Sequence, residues 1–341
     1  MHVVAIGGGT GLSTLLRGLK PHVVAQPGAR ARRSPTISRL TAIVTVTDEG
    51  GSSGRLRRDF GILPPGDIRN CLVALAGDEE LLTRLFSYRF TNGRGLAGHS
   101  FGNLFLAALT RLTGDFSKAV QVSSEVLAVH GQIFPSTLSD VRLKARLADG
   151  RILYGESRIT RTPEPIAHLE LIPSGSRALP EALAAIDEAD LITLGPGSLY
   201  TSLLPNLLVR GIAHRISHAR AVRVFVANLM TQPGETRNYT ASDHLRAVRE
   251  HSRGQRLFDY IVLNSWPLSA RLGRRYAAEG AVPVVNDLDE IRRLGVEPIT
   301  ADLLGENHVA RHDPLRLARL LLGLAQERRR QPSGPRHAGR R

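Results

Sequence analysis

The stretch Met1–Lys20, MHVVAIGGGTGLSTLLRGLK, decides the fold. Val3–Ile6 is apolar on both faces, as a strand covered on both sides must be. Leu12–Leu19 switches to helical spacing. Between them stand Gly7–Gly11, GGGTG, five small residues in a row. A strand, a glycine turn and a helix in that order form the first unit of a doubly wound sheet. The turn is also a candidate phosphate contact, because amides at a helix N-terminus favour an anion and glycine lets it approach.

The same alternation continues along the chain. Ala42–Thr47, Leu191–Leu194, Val222–Ala227, Tyr260–Asn264 and Val282–Val285 read as further strands. Leu199–Leu208, Ala241–His251 and Ala270–Ala278 read as helices between them. Two segments break the pattern. Residues 67–130 are almost wholly helical in spacing. Residues 141–158 alternate with period two about Asp149-Gly150, a hairpin signal. The expected fold is therefore α/β: a Rossmann-like, doubly wound, mostly parallel sheet with an inserted helical subdomain and a β-hairpin. Residues 1–330 form one domain in this reading, closed by a helix from Pro314, and residues 331–341 form a disordered basic tail.

Composition narrows the class. No apolar run is long enough to span a membrane, and the N-terminus reads as a core strand rather than a signal peptide. The single cysteine, Cys71, sits on an apolar helix face and excludes an internal disulfide or a cysteine zinc site. A cytoplasmic location follows as the default. The net charge of +14 invites a nucleic-acid reading. However, much of it lies in the Arg-rich loop at 28–39 and in the tail, and 42 arginines against three lysines point to coding bias. Nucleic-acid binding is not the expected function.

The glycine loop does not complete a dinucleotide fingerprint. Leu12 stands at the third glycine position, and no acid occurs before Asp48 to hold a ribose. No Gly-Lys-Ser/Thr motif exists, so a P-loop is excluded. A second glycine loop, Gly195–Ser198 in LGPGSLYTSLLPNL, follows another strand. Gly195, Gly197 and Ser198, with Pro196 among them in the same phosphate-facing loop, should offer free amides and a hydroxyl there, and Tyr200 either stacks on a base or packs. Two such loops at strand ends define a nucleotide crevice. A third stretch, Asp48 through Asp67, places two carboxylates around GGSSG. Ser52, Ser53 and Arg55 are candidate phosphate contacts, and Asp48 and Asp67 are candidate Mg²⁺ ligands. A helix-capping role for Asp67 is the alternative. The G-x-S-x-G match at Gly50–Gly54 is discounted as a hydrolase elbow, because Asp48 and Glu49 separate it from its strand. In GHSFGN, Asn103 is a candidate ligand contact, and His99 reads as a capping or core residue.

These motifs together resemble the YvcK family, the gluconeogenesis factors. The resemblance rests on IGGGTGLSTLLRGLK, GGSSGRLR, GILPPGDIRN, GHSFGNL, GQIFPST, GPGSLYTSLLPNLL and NLMTQPGET, in matching order from Met1 to about Leu322. The family is similar in fold to CofD, the 2-phospho-L-lactate transferase of deazaflavin cofactor synthesis. The resemblance implies a cytoplasmic bacterial protein needed for normal cell shape on gluconeogenic carbon sources. It also implies binding of UDP-N-acetylglucosamine, a link between carbon flux and cell-wall precursor synthesis, and no established catalysis. Carried over by motif, Gly8, Gly9, Thr10 and Gly11 and the Gly195–Ser198 loop face phosphate, and Asn228 lines the same crevice. RRYAAEGA and RHDP resemble the family's nucleotide-sugar segments, which brings in Tyr276 and Arg311. Departures are Glu49, where relatives carry a second aspartate, and Pro314, where many carry threonine. A homo-oligomer and a protein partner in cell-wall precursor synthesis are expected. The rival readings are an Mg²⁺-dependent CofD-like phosphotransferase and a nucleic-acid-associated protein using the arginine tail.

Overall fold

The computed structural model describes residues 1–24, 36–77, 80–305 and 309–330. Most of the Arg-rich loop and the whole expected tail at 331–341 lie outside the described residues. The strands are β1 (His2–Gly7), β2 (Arg39–Val44), β3 (Gln132–Pro135), β4 (Arg142–Leu147), β5 (Ile152–Tyr154), β6 (Ile166–Ile172), β7 (Leu191–Leu194), β8 (Val222–Val226), β9 (Tyr260–Asn264) and β10 (Glu297–Ala301). Seven of them form one sheet in the order β10-β9-β8-β7-β1-β2-β3, and every pairing in it is parallel. The other three form a small antiparallel sheet, β5-β4-β6. The Rossmann-like α/β reading holds.

Helix α1 (Gly9–Leu19) buries Leu12, Leu15, Leu16 and Leu19 against the sheet, the spacing of one helical face. Its other side meets the closing helix Pro314–Arg330. Helices α2 (Gly51–Phe60), α3 (Gly66–Leu75), α4 (Glu80–Ser87), α5 (Phe101–Thr113) and α6 (Phe116–Val126) occupy the segment between β2 and β3. Cys71 is buried inside α3, as its apolar setting requires. The ring of Phe86 meets Phe101 and Phe105 edge-on, which pins α4 to α5.

Two strand assignments differ from the sequence reading. Val282–Val285 enters no sheet; Pro283 and Val285 make only isolated bridges to Met230 and Thr240. Val282 and Val285 stay substantially exposed, so their apolar run is not a core signal. Conversely, β3 and β10 are true strands at the two sheet edges. Each contains a proline, tolerated at an edge where one ladder is absent; β3 is only four residues long, and β10 carries Glu297 and Thr300 among its five. The hairpin at 141–158 also gains a third strand, β6. Its buried Leu169 and Leu171 alternate with His168 and Glu170 on the outer face.

Candidate functional site

The chain leaves β1 toward β2 and β3 on one side, and the later strands β7 to β10 fill the other. The reversal falls between β1 and β7, so the loops after these two strands must diverge around a crevice at the carboxyl edge. These are the two glycine loops. They touch: a methyl group on Gly11 would lie 2.2 Å from the carbonyl oxygen of Pro196. Only glycine permits that approach. The crevice has a volume of about 600 Å³ and is lined by both loops, by Asp48, Asp67 and Glu156, and by Asn228, Tyr276 and Arg311.

The two loops play different parts. At α1 no side chain caps the N-terminus, and the first turn carries no acid. Asp67, on α3, stands close to this turn, and Gly8, Gly9, Thr10 and Gly11 line the crevice. The second loop is internally satisfied. The Gly195 amide donates to Ile6 O at 3.0 Å. The Gly197 amide donates to Asn228 Oδ1 at 3.1 Å, and Asn228 Nδ2 donates back to Gly197 O at 2.8 Å. Gln232 Nε2 donates to Ser198 Oγ at 2.8 Å. Glu235, a buried carboxylate, accepts from the Tyr200 amide at 2.8 Å and from Thr201 Oγ1 at 2.7 Å. It occupies the anion position at the start of the Leu199–Leu203 π-helix. The expected free amides at Gly195 and Gly197 are therefore taken. This loop is a fixed wall, and α1 is the side that can receive an anion.

Positive charge gathers on the same side. Arg17 is held below its ordinary pKa by desolvation and then by the field of Arg311. Among the described residues neither guanidinium has a carboxylate ion-pair partner. Arg311 lines the crevice, whereas Arg17, in the last turn of α1, lies outside its lining; an unpaired guanidinium on the crevice wall suits a phosphate. Tyr276 Oη accepts from the Ala310 amide at 3.0 Å and so fixes the segment that presents Arg311. Next to it, His312 is buried with its Nε2 unpartnered; desolvation pushes its pKa down to about 4, so the ring is neutral.

The acids form the opposite pole. A methyl on Gly66 would lie 2.3 Å from Asp48 Oδ2, and one on Gly8 would lie 2.7 Å from Asp67 Oδ2. Asp67 stands in the first turn of α3, but no side chain caps that helix, so the capping alternative fails. Its carboxyl is pushed up to about 7 by desolvation first and by the neighbouring Asp48 second. Glu156 is likewise raised to about 7, mainly by burial. It accepts from the Glu49 amide at 3.0 Å. Among the described residues no group of three His, Cys, Asp or Glu side chains has metal-holding geometry.

Of the residues marked in the sequence, Gly8–Gly11, Pro196, Gly197, Ser198, Asn228, Tyr276, Arg311, Asp48 and Asp67 line the crevice. The others lie outside its lining. GGSSG is the start of α2 rather than a loop. Ser52 Oγ pairs with His99 Nδ1 at 2.9 Å, and Asn103 Nδ2 reaches Ser53 Oγ at 3.5 Å. Arg55 donates to Ala97 O at 2.8 Å. Tyr200 packs rather than stacks: it is buried, with its hydroxyl 2.8 Å from that of Tyr239. The sequence reading missed Thr14, Glu156, Gln232 and His312, which also line the crevice. Thr14 shares a helical face with Thr10 four residues before it, a signal that was available.

Fold and crevice thus define a Rossmann-like α/β protein with a polar crevice at its switch point. The chain belongs to the CofD family, described as 2-phospho-L-lactate transferase CofD, which it matches over residues 3–304, and within it to the gluconeogenesis factors of the YvcK type. It is 52% identical to a relative from Nostoc sp. over 94% of this chain and 68% of that one. It is 46% identical to the gluconeogenesis factor of Bacillus subtilis, covering 95% of this chain and 98% of that one. A crystal structure of a protein from Bacillus halodurans superposes with a TM-score of 0.88 at 46% identity, covering 94% of this chain and 99% of that one. No helix among the described residues is long and apolar enough to cross a membrane.

Proposed function

We propose that the crevice binds a nucleotide-sugar, UDP-N-acetylglucosamine, and that the protein is a regulator of carbon flux to cell-wall precursors, required for cell shape on gluconeogenic carbon sources. The observation that carries this reading is the Gly8–Gly11 turn at the start of α1, which lines the same crevice as Arg311. A diphosphate placed there receives the amides of the first turn and the Arg311 guanidinium at once. The crevice volume of about 600 Å³ accommodates a ligand of this size. Regulation then requires that the ligand favour one of two conformations, to which a protein partner responds. The test is thermal unfolding with UDP-N-acetylglucosamine, UDP-glucose, GDP or NAD, each with and without Mg²⁺. The preferred ligand at about 100 times its Kd adds roughly 2.7 kcal/mol. Equal, negligible shifts from all four would end this reading.

A second reading is an Mg²⁺-dependent transferase of phosphorus-containing groups. The Asp48–Asp67 pair favours it, because two carboxylates crowd one another on the crevice wall and one is pushed toward neutrality. Two carboxylates open to the crevice fit Mg²⁺, which keeps waters and takes substrate phosphates as its remaining ligands. Bound there, the ion would neutralise charge on a transferring phosphoryl group. Product formed by the wild type and abolished in Asp67→Ala supports this enzyme; tight binding without product supports the regulator.

A further inference from the structure

A second cavity, of about 430 Å³, opens at the carboxyl edge of β8 and β9 and shares Asn228 and Leu229 with the main crevice. Its wall is the loop Asn264–Ser269, which carries Trp266, the chain's one tryptophan. Trp266 is 57% exposed, an expensive place for so large an apolar ring unless something covers it. The loop around it is held at several points. The Ser265 amide donates to Ala301 O at 2.9 Å. Asn264 Nδ2 donates to Trp266 O at 2.6 Å, and Asn264 Oδ1 accepts from the Leu303 amide at 3.1 Å. Ser269 caps the helix Ala270–Ala278. Asn286 Nδ2 donates to Asn264 O at 2.8 Å, which fixes the amide and leaves its Oδ1 as an acceptor on the cavity lining. Leu263, Pro267, Leu268, Pro283 and Val284 complete an apolar slot.

A preorganised aromatic face, an apolar slot and a fixed amide acceptor match the needs of a heteroaromatic ring with a polar edge. The cavity adjoins the crevice, with Asn228 and Leu229 on the lining of both. Resting on the nucleotide reading above, we propose that this second cavity is the base subsite, with the nucleobase stacked on Trp266 and its polar edge at Asn286. The sugar and phosphates then run past Asn228 toward α1 and Arg311.

The probes are UDP and inorganic pyrophosphate, titrated calorimetrically into the full chain, with Trp266 emission followed in parallel. UDP should change the emission and pyrophosphate should not. Trp266→Ala should weaken UDP about tenfold or more, as loss of one base–aromatic stack does, and leave pyrophosphate affinity unaltered. Trp266→Phe should recover most of the loss. UDP that binds without an emission change and with equal affinity to Trp266→Ala overturns the base subsite alone. Absence of binding by both probes overturns the nucleotide reading and the subsite together.

Discussion

Asn228 grips Gly197 with both ends of its side-chain amide, accepting from the Gly197 N–H at 3.1 Å and donating to its carbonyl at 2.8 Å. The loop after β7 is thereby locked to the end of β8, and its glycines act as a shaped wall. Asn228→Asp keeps the acceptor and loses the donor. It should lower stability by about 1–2 kcal/mol, since a carbonyl is left without its partner. Chemical denaturation at neutral pH measures this, and an unchanged midpoint would show that the grip is unimportant.

Glu235 caps the same loop from beneath, holding the Tyr200 amide and the Thr201 hydroxyl. Removing it strands buried donors. Glu235→Ala should cost about 1–3 kcal/mol while leaving the α1 side of the crevice intact. Ligand affinity per folded molecule should therefore fall much less than stability does.

Gly11 sits where a methyl would meet Pro196 O at 2.2 Å, whereas a methyl on Gly323 would meet nothing within 4 Å. Gly11→Ala should push the two loops apart, with a loss of about 1–3 kcal/mol and of ligand binding. Gly323→Ala, inside the helix Pro314–Arg330, should stabilise by about 0.5–1 kcal/mol. Thermal melts of the pair check both signs.

Asp67 has its pKa raised to about 7 by desolvation and by Asp48. A carboxyl raised on folding contributes no penalty below its unfolded pKa of about 4. Stability is then lost as pH rises through the interval up to the folded value. Asp67→Asn removes that penalty, so its stability advantage over the wild type should be absent near pH 4 and grow until about pH 7. Glu156 adds to the same trend, because its charge is one of those that raise Asp67 and is relieved in the variant. Mg²⁺ held by the pair would erase the advantage at pH 8, which tests the metal separately.

Much of this architecture could be read in the chain. Apolar runs in the central strands β1, β7, β8 and β9, and the leucine face of α1, carry the parallel core because both faces of those strands are covered. The edge strands β3 and β10 were illegible for the converse reason: with one neighbour each, they keep polar residues and a proline. Motif spacing placed the two glycine loops on one crevice. It could not show that Asn228 and Glu235 consume the amides of the second, since those contacts span 31 and 35 residues. Nor could it show that Ser52, Ser53 and Arg55 belong to α2 and its packing against the His99 segment. Such facts depend on which helix faces which, a property of tertiary packing rather than of local pattern.

The central claim is that α1 and Arg311 together hold the phosphates of a nucleotide-sugar. The most direct measurement is a calorimetric titration of UDP-N-acetylglucosamine into the wild type and into Arg311→Ala, with both shown to melt alike. One site in the wild type and at least a tenfold loss in the variant is the predicted result, since a charge-assisted contact is worth about 1.5–3 kcal/mol. Equal affinity in the two proteins would contradict it.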